Sequence, residues 1–246
     1  MSRIPRFYSP LPAGEELILR DEEHQHLAKV LRLAPGREVE VFDGEGRRAQ
    51  ATVAAVEKRQ SVLRVSERRE PTAPAPPWLR VAVAIPKAKR AQRLLEALTE
   101  LGADAIVPLQ CARSVSSPPS AERAQRWILE SCKQCRRDRL PSFEPPQTPQ
   151  DLLESLPSDE LALVCDTGQA QPLRAALPDA PPARVTLAIG PEGGFRPDEL
   201  ELLRGRFRSI SLGPRVLRIE TAAPAVVAGL RALWPEPGPD SPPARD

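Results

Sequence analysis

The sequence predicts an α/β protein in which a mostly parallel sheet follows a small, β-rich N-terminal domain. From Trp78 onward, apolar strand-like runs alternate with amphipathic helical stretches, an order typical of a parallel sheet. Before Arg69, several short β-prone runs crowd together, which favours a small barrel. The proline-rich stretch 70–77 lies between the two regions and predicts a stiff, extended connector.

The N-terminal region contains one helical stretch and several β-prone runs. Leu27 and Val30 have helical spacing, and the Asp43-Gly44 pair is a typical hairpin turn signal. The predicted elements, in order, are a helix at 21–33 and strands at 38–42, 49–55 and 62–65. We therefore expect residues 1–70 to form one β-barrel domain, followed by a linker at 71–77.

The C-terminal region alternates strands and helices up to Trp234. The predicted strands are 79–85, 105–109, 161–165, 185–189 and 209–212, and the predicted helices are 91–101, 121–135, 197–204 and 220–234. Gly102 follows one helix as a C-terminal cap, and Pro197 stands at the first position of another. We expect one domain over 78–234 and a disordered, proline-rich tail over 235–246.

The composition is that of a globular protein with one or two domains. Of 246 residues, 41% are hydrophobic and 28% are charged, and no run approaches the ~18 apolar residues of a membrane-spanning helix. The N-terminus has no apolar core of the signal-peptide kind, so we expect a cytoplasmic protein without a membrane partner. Cys132 and Cys135 have C-x-x-C spacing but lack a second pair, so we expect no metal site.

Basic residues cluster although the net charge is only +2. The clusters are the stretches 80–93, 132–139 and 204–218. Basic tracts that surround a pocket are typical of a surface that binds the phosphate backbone of a nucleic acid. Taken alone, they are better explained by codon bias and solvated helix faces.

Two glycine-rich loops are the strongest functional signal. Each follows an apolar strand and precedes a helix: one is 189–195 (IGPEGGF) and the other is 211–218 (SLGPRVLR). Ligands bind at the carboxyl ends of parallel strands, and glycines let the backbone approach a ligand closely. Neither loop matches the common dinucleotide or P-loop patterns, so those two kinds of site are disfavoured.

These two loops resemble the paired signatures of the bacterial 16S rRNA uridine N3-methyltransferases, within the knotted (SPOUT) methyltransferase superfamily. The resemblance extends in order over nearly the whole chain. Its further segments are RIPRFY (3–8), HLAKVLR (26–32), VFDG (41–44), PKAKR with TELGADAIVPL (86–109) and ESCKQCRRDRLP (130–141).

The resemblance implies a PUA-like RNA-binding barrel, a trefoil-knotted α/β domain and a homodimer. It implies S-adenosylmethionine (SAM) as the cofactor and uracil N3 of a uridine in the 16S rRNA of the small ribosomal subunit as the target, by family analogy U1498. Carried over by position, the cofactor-binding residues are Ile189, Gly190, Gly194, Leu212, Gly213, Val216 and Leu217.

The chemistry of N3 methylation suggests roles for three charged residues. Removing the N3 proton places negative charge on the flanking carbonyl oxygens, which a cation stabilises. Arg218 is our candidate for that cation, and Glu220 or Glu192 for the proton acceptor. For either glutamate, a structural role in its helix start or loop is an equal alternative. The residues that we expect to hold RNA phosphates are Arg6, Arg32, Arg136 and Arg137.

Several positions depart from the family pattern without removing a glycine of either loop. Ala97 stands where the family usually has Lys, Arg196 where it has Ser, and Ile219 where it has Thr. Arg196 cannot cap its helix as Ser would. Two other functions stay open: methylation of another target such as a ribose 2′-hydroxyl, and a noncatalytic RNA-binding role in ribosome assembly.

Overall fold

The computed structural model of the protein describes residues 4–71, 75–87, 89–168 and 170–235. The chain divides into two compact units. The first comprises Met1–Ala73 and Cys132–Leu140, and the second comprises Pro74–Ser131 and Pro141–Asp246. A boundary near the predicted linker is therefore present, but 132–140 packs with the first unit rather than with the predicted domain over 78–234. The predicted tail lies almost wholly outside the described residues.

The first unit is built on a five-stranded sheet that curls into a half-barrel. Its elements are β1 (Arg6–Tyr8), β2 (Glu16–Leu19), α1 (Asp21–Gln25), a π-helical turn (His26–Val30), β3 (Glu38–Phe42), β4 (Arg48–Val56) and β5 (Ser61–Arg69). The strand order is β1-β3-β4-β5-β2, with β1 parallel to β3 and the other pairs antiparallel.

Alternation along the strands creates the core of this unit. In β4, Ala49, Ala51 and Val53 point inward and are at most 2% exposed, while their neighbours face outward. Opposite them, Leu63 and Val65 of β5 and Val39 and Val41 of β3 fill the same interior. Because successive side chains of a strand face opposite sides, this period of two fixes the register.

A buried ion-pair network involves the second chain stretch of the first unit. Arg6 donates hydrogen bonds to the carbonyl oxygens of Cys132 and Arg137 and forms an ion pair with Asp138. Its Nε lies 2.9 Å from Glu40 Oε1, at an angle outside that of a hydrogen bond. Burial lowers the pKa of Arg6 and raises the pKa of Asp138, so desolvation outweighs the attraction between the two charges.

The second unit contains a seven-stranded sheet with helices. Its elements are β6 (Trp78–Val83), α2 (Lys89–Glu100), β7 (Ala105–Pro108), α3 (Ala121–Cys135, whose last turn packs with the first unit), β8 (Ser142–Phe143), α4 (Pro149–Glu154), β9 (Leu161–Cys165), β10 (Gln171–Pro172), α5 (Leu173–Ala176), β11 (Arg184–Ile189), α6 (Pro197–Arg204), β12 (Arg208–Ser211) and α7 (Ile219–Leu233). The order is β10-β12-β9-β11-β6-β7-β8, and every neighbouring pair is parallel.

The apolar character of the central strands follows from helices and loops packed around them. β6 and β11 are buried at nearly every position, as strands of a doubly covered parallel sheet are. α2 turns Leu94, Leu95 and Leu98 inward, and all three are fully buried. The helical spacing of these leucines therefore predicted the buried face of α2 correctly.

The sequence prediction located every helix and strand longer than six residues and missed several shorter ones, although it located the four-residue strands β7 and β12. The predicted helix over 21–33 is α1 followed by the π-helical turn, which ends at Val30. The elements not predicted are β1, β2, β8, α4, β10 and α5, each six residues or shorter. In the described part of the chain, no helix is both long and apolar enough to cross a membrane.

Candidate active site

A cavity of about 520 Å³ opens at the carboxyl edge of the parallel sheet in the second unit. The strands β12, β9 and β11 are direct neighbours there, so the loops that follow them meet. The loop after β11 runs to Arg196, and the loop after β12 runs to Arg218. The cavity has the size usual for small-molecule sites and lies where open parallel sheets place their ligands.

The seven residues predicted to bind a cofactor all line this cavity, and they are Ile189, Gly190, Gly194, Leu212, Gly213, Val216 and Leu217. The two glycine-rich loops, separated by 15 intervening residues along the chain, are therefore brought to one cavity. The lining is largely backbone and apolar side chains, which suits a ligand that is recognised through backbone groups.

Two glycines of these loops have a steric or conformational requirement. A Cβ atom on Gly190 would lie 2.9 Å from two ring carbons of Phe195, so a larger residue would collide with that ring. Gly213 has a φ of +108°, where L-residues are strained, and its N–H donates to Ser211 Oγ at 3.1 Å. These requirements explain why glycine stands at both positions.

The loop after β11 is held by residues that sequence reasoning missed. Arg113 donates to the carbonyl oxygen of Gly193 at 2.8 Å. Glu199 of α6 accepts a hydrogen bond from the Arg196 amide at 2.8 Å and another from the Ala112 amide at 2.7 Å. Glu199 thus accepts from the amide of Arg196 at the start of α6, whereas the Arg196 side chain itself makes no capping hydrogen bond. No sequence signal identified Arg113, because its contact joins residues 80 positions apart.

Asp166 lines the cavity at the end of β9 and is nearly buried. Burial raises its pKa, but hydrogen bonds from the Gly168 amide and from Arg204 outweigh that effect and keep the pKa below its usual value. The neighbouring Cys165 also lines the cavity, and burial raises its pKa to about 12. At neutral pH the cavity therefore contains a carboxylate and a neutral thiol.

A second cavity of about 450 Å³ adjoins the first. It is lined by Arg90, Glu192, Val216, Leu217 and Arg218, and three of these, Glu192, Val216 and Leu217, also line the first cavity. Among the described residues, the exposed Arg218 side chain makes no hydrogen bond or ion pair. The two cavities thus share a wall, and a cation without a carboxylate partner stands in the second.

The two candidate carboxylates meet at one guanidinium. Arg90 of α2 forms an ion pair with Glu192, and its Nη1 lies 3.7 Å from Oε1 of Glu220 in the first turn of α7. The structure therefore brings together Arg218, Glu192 and Glu220 near one site and adds Arg90. Sequence analysis had placed Arg90 only in the basic tract 80–93.

The four arginines predicted to bind RNA differ in exposure and in ion pairing. Arg6 is wrong as a phosphate ligand, because its side chain is 3% exposed and bound to Asp138 and Glu40. Arg136 lies 3.1 Å from Glu40 and is 31% exposed, so part of its charge is already balanced. Arg32 is exposed, and Arg137 is partly exposed.

The three basic tracts contain many structural arginines. Arg80 is buried against Glu144, Arg204 pairs with Asp166, and Arg206 donates to the carbonyl oxygens of Pro157, Ser158 and Glu160. In 132–139, Lys133 pairs with Glu23. A run of basic residues in this sequence therefore overstates the cationic surface that is open to a phosphate.

Comparisons with known proteins agree with this geometry. Residues 73–231 match the RNA methyltransferase domain family, and residues 19–66 match the RNA methyltransferase PUA domain family. The chain is 34% identical to the ribosomal RNA small subunit methyltransferase E of Synechocystis, covering 92% of this chain and 78% of that protein. It is 31% identical to the protein of that name from Mycobacterium bovis, covering 89% of this chain and 87% of the other.

Solved structures show the same architecture. The ribosomal RNA small subunit methyltransferase E of Neisseria gonorrhoeae, solved with SAM bound, superimposes with a TM-score of 0.87 at 27% identity, covering 94% of this chain and 98% of that one. A Legionella pneumophila protein solved with SAM bound gives a TM-score of 0.86 at 31% identity with the same coverage. On these matches, the chain belongs to the ribosomal RNA small subunit methyltransferase E family of RNA methyltransferases.

Proposed function

We propose that the protein transfers a methyl group from SAM to N3 of a uridine in the 16S rRNA of the small ribosomal subunit. The observation that carries the proposal is the pair of adjoining cavities with a shared wall. The first is lined mostly by glycines and apolar residues, and three of the five residues that line the second are charged. A cofactor in the first and a nucleobase in the second would meet at that wall.

The residues of the first cavity fit SAM. Gly213 faces open space and has a backbone conformation that a side chain would strain, and Leu212 and Leu217 offer apolar contact. Asp166 adds a carboxylate to the lining, with its charge partly offset by Arg204. When bound, the sulfonium supplies an activated methyl group. The protein supplies alignment, which by itself accounts for much of the rate in such reactions.

The charged residues of the second cavity suit an imide base. The N3–H bond of uracil breaks, its electron pair stays on the base, and the proton goes to a carboxylate. Glu192 is the better placed acceptor, because it lines both cavities, whereas Glu220 lines neither. Arg218 has no described carboxylate partner, so its guanidinium is available to the uracil carbonyl oxygens on which charge develops.

The target must be presented as an unpaired base. N3 lies on the pairing edge of uracil, so the nucleotide must be splayed out of any helix to reach the cavity. Arg32 and Arg137 remain our candidates for gripping neighbouring phosphates, and Arg136 is a third with its charge partly offset by Glu40. Arg6 has no part in this proposal.

Three further expectations extend the proposal. A cytoplasmic location follows from a ribosomal target. A trefoil knot in the second unit follows from the resemblance of its two glycine-rich loops to knotted methyltransferases. A homodimer follows from the same resemblance.

The decisive experiment is nucleoside analysis of rRNA from cells with and without the gene. We expect 3-methyluridine at one position of the small-subunit rRNA to disappear in the deletion strain and to return with the intact gene. A complementing Arg218→Ala gene should fail to restore it. Loss of a 2′-O-methylated nucleoside instead would overturn the assignment to N3, and unchanged rRNA would overturn the enzymatic assignment altogether.

A further inference from the structure

Arg90 connects two carboxylates that arise from different elements. It stands near the start of α2, pairs with Glu192 on the loop after β11, and approaches Glu220 at the start of α7. The pKa of Arg90 is raised chiefly because Glu192 accepts its hydrogen bond, and Glu220 adds to that effect. One guanidinium therefore links the loop that lines both cavities to the helix that follows the second glycine-rich loop.

The three residues in ion-pair contact, Arg90, Glu192 and Glu220, together carry one excess negative charge, because Arg90 balances one of the two carboxylates. Arg218 lines the same cavity without an ion pair, and Arg113 reaches the loop only through carbonyl oxygens. The second carboxylate oxygen of Glu220 is buried without a hydrogen-bond partner. Arg90 is thus the only described cation in ion-pair contact with either carboxylate.

We propose that Arg90 is a positioning residue of the methyl-transfer site, which holds Glu192 at the wall shared by the two cavities and is itself held by Glu220. The inference rests on the proposed function. Its physical basis is that Glu192 is 37% exposed on a loop and has no other described ion-pair partner that would fix its carboxylate. A proton acceptor must lie within hydrogen-bond reach of its proton, so freedom of this side chain would slow the transfer.

Removing the guanidinium frees the Glu192 carboxylate. In Arg90→Gln, Glu192 keeps no described ion-pair partner, so its carboxylate can leave the wall shared by the two cavities. Arg90→Lys keeps a positive charge at this place but not the planar fork of donors.

The test compares Arg90→Gln and Arg90→Lys with the control Arg93→Gln. Arg93 lies on the same helix, is exposed, and has no hydrogen bond or ion pair among the described residues. For each protein, kcat and KM for small-subunit rRNA are measured, together with the Kd for SAM. In ligand-free protein, the mobility of the Glu192 side chain is measured by ¹³C NMR relaxation.

For Arg90→Gln we expect kcat to fall about 10- to 100-fold, with KM and the Kd for SAM unchanged, because a misplaced acceptor slows the transfer without changing binding. The Glu192 side chain should become more mobile than in the wild type. Arg90→Lys should restore part of kcat, because it restores the charge, and Arg93→Gln should leave kcat, the Kd for SAM and the mobility of Glu192 unchanged.

Equal kcat and equal mobility of the Glu192 side chain in Arg90→Gln and wild type would overturn the inference. Loss of SAM affinity in a folded Arg90→Gln protein would also overturn it, since Arg90 would then act on the cofactor cavity. A wild-type protein that methylates no rRNA defeats the proposed function instead. In that case the NMR relaxation measurement still decides whether Arg90 holds Glu192.

Discussion

The contact between Gly190 and Phe195 allows a quantitative prediction. An alanine Cβ at position 190 would stand 2.9 Å from two ring carbons of Phe195 and 3.2 Å from a third. Carbon atoms pack favourably at about 3.5–4.0 Å, so the ring must retreat by about 0.6 Å or more. Phe195 packs against the buried cluster that includes Leu203 and Phe207, which opposes that movement.

Gly190→Ala should therefore cost about 1–3 kcal/mol in the free energy of unfolding, the usual price of overpacking. For a chain of this size the melting temperature should fall by about 2–12 °C. The displaced ring also changes the wall of the first cavity, so SAM should stabilise the variant less than the wild type. Thermal unfolding with and without SAM measures both effects.

Gly193→Ala is the matched control for stability. It lies in the same loop, and its Cβ would meet only the Arg113 side chain at 3.4 Å, an ordinary contact. We expect its melting temperature to stay within about 2 °C of the wild type. If Gly190→Ala melts like the wild type and gains as much from SAM, the steric argument for glycine at this position is wrong.

Four other substitutions test the remaining assignments. Arg218→Ala should lower kcat about 100- to 1000-fold while leaving SAM binding and melting unchanged, which single-turnover kinetics and calorimetry measure. Arg6→Met should cost up to about 3–5 kcal/mol in urea unfolding, because Glu40 and Asp138 lose the cation that they share and keep Arg136 and the more distant Arg48. A change in RNA affinity without that loss would contradict the structure. Arg32→Ala should weaken rRNA binding and reduce the salt slope by about one, with unchanged melting. Asp166→Asn should lower the free energy of unfolding at neutral pH. The difference from wild type should vanish as the pH falls through the lowered pKa of Asp166, because the carboxylate stabilises the folded protein only while it is ionised.

The sequence was most informative where a local pattern has one physical solution. The leucine spacing of α2 admits one buried face, and two glycine-rich turns after apolar strands must lie at the carboxyl edge of a parallel sheet. Both predictions depend on neighbours in sequence. The seven cofactor residues came instead from the family resemblance, position by position, and the structure places all seven on one cavity.

The sequence was least informative where a residue's role is set by a distant partner. Arg6 and Arg32 look alike as isolated basic residues in the sequence. In the structure, Arg6 is buried in an ion pair with Asp138, and Arg32 is exposed. Arg90 is one of several cations in its tract, and only its contact 102 positions away distinguishes it. Ion pairs of this kind have no local periodicity, so composition and spacing cannot separate a phosphate ligand from a structural arginine.

The assembly of the first unit from two separate chain stretches has a consequence for biosynthesis. The carbonyl oxygens of Cys132 and Arg137, which accept hydrogen bonds from Arg6, and the carboxylate of Asp138 are synthesised long after β1. A nascent chain that ends near Ala73 therefore carries a guanidinium in its interior with only Glu40 to receive it. The half-barrel should acquire its full resistance to proteolysis only once residues up to Leu140 have left the ribosomal exit tunnel.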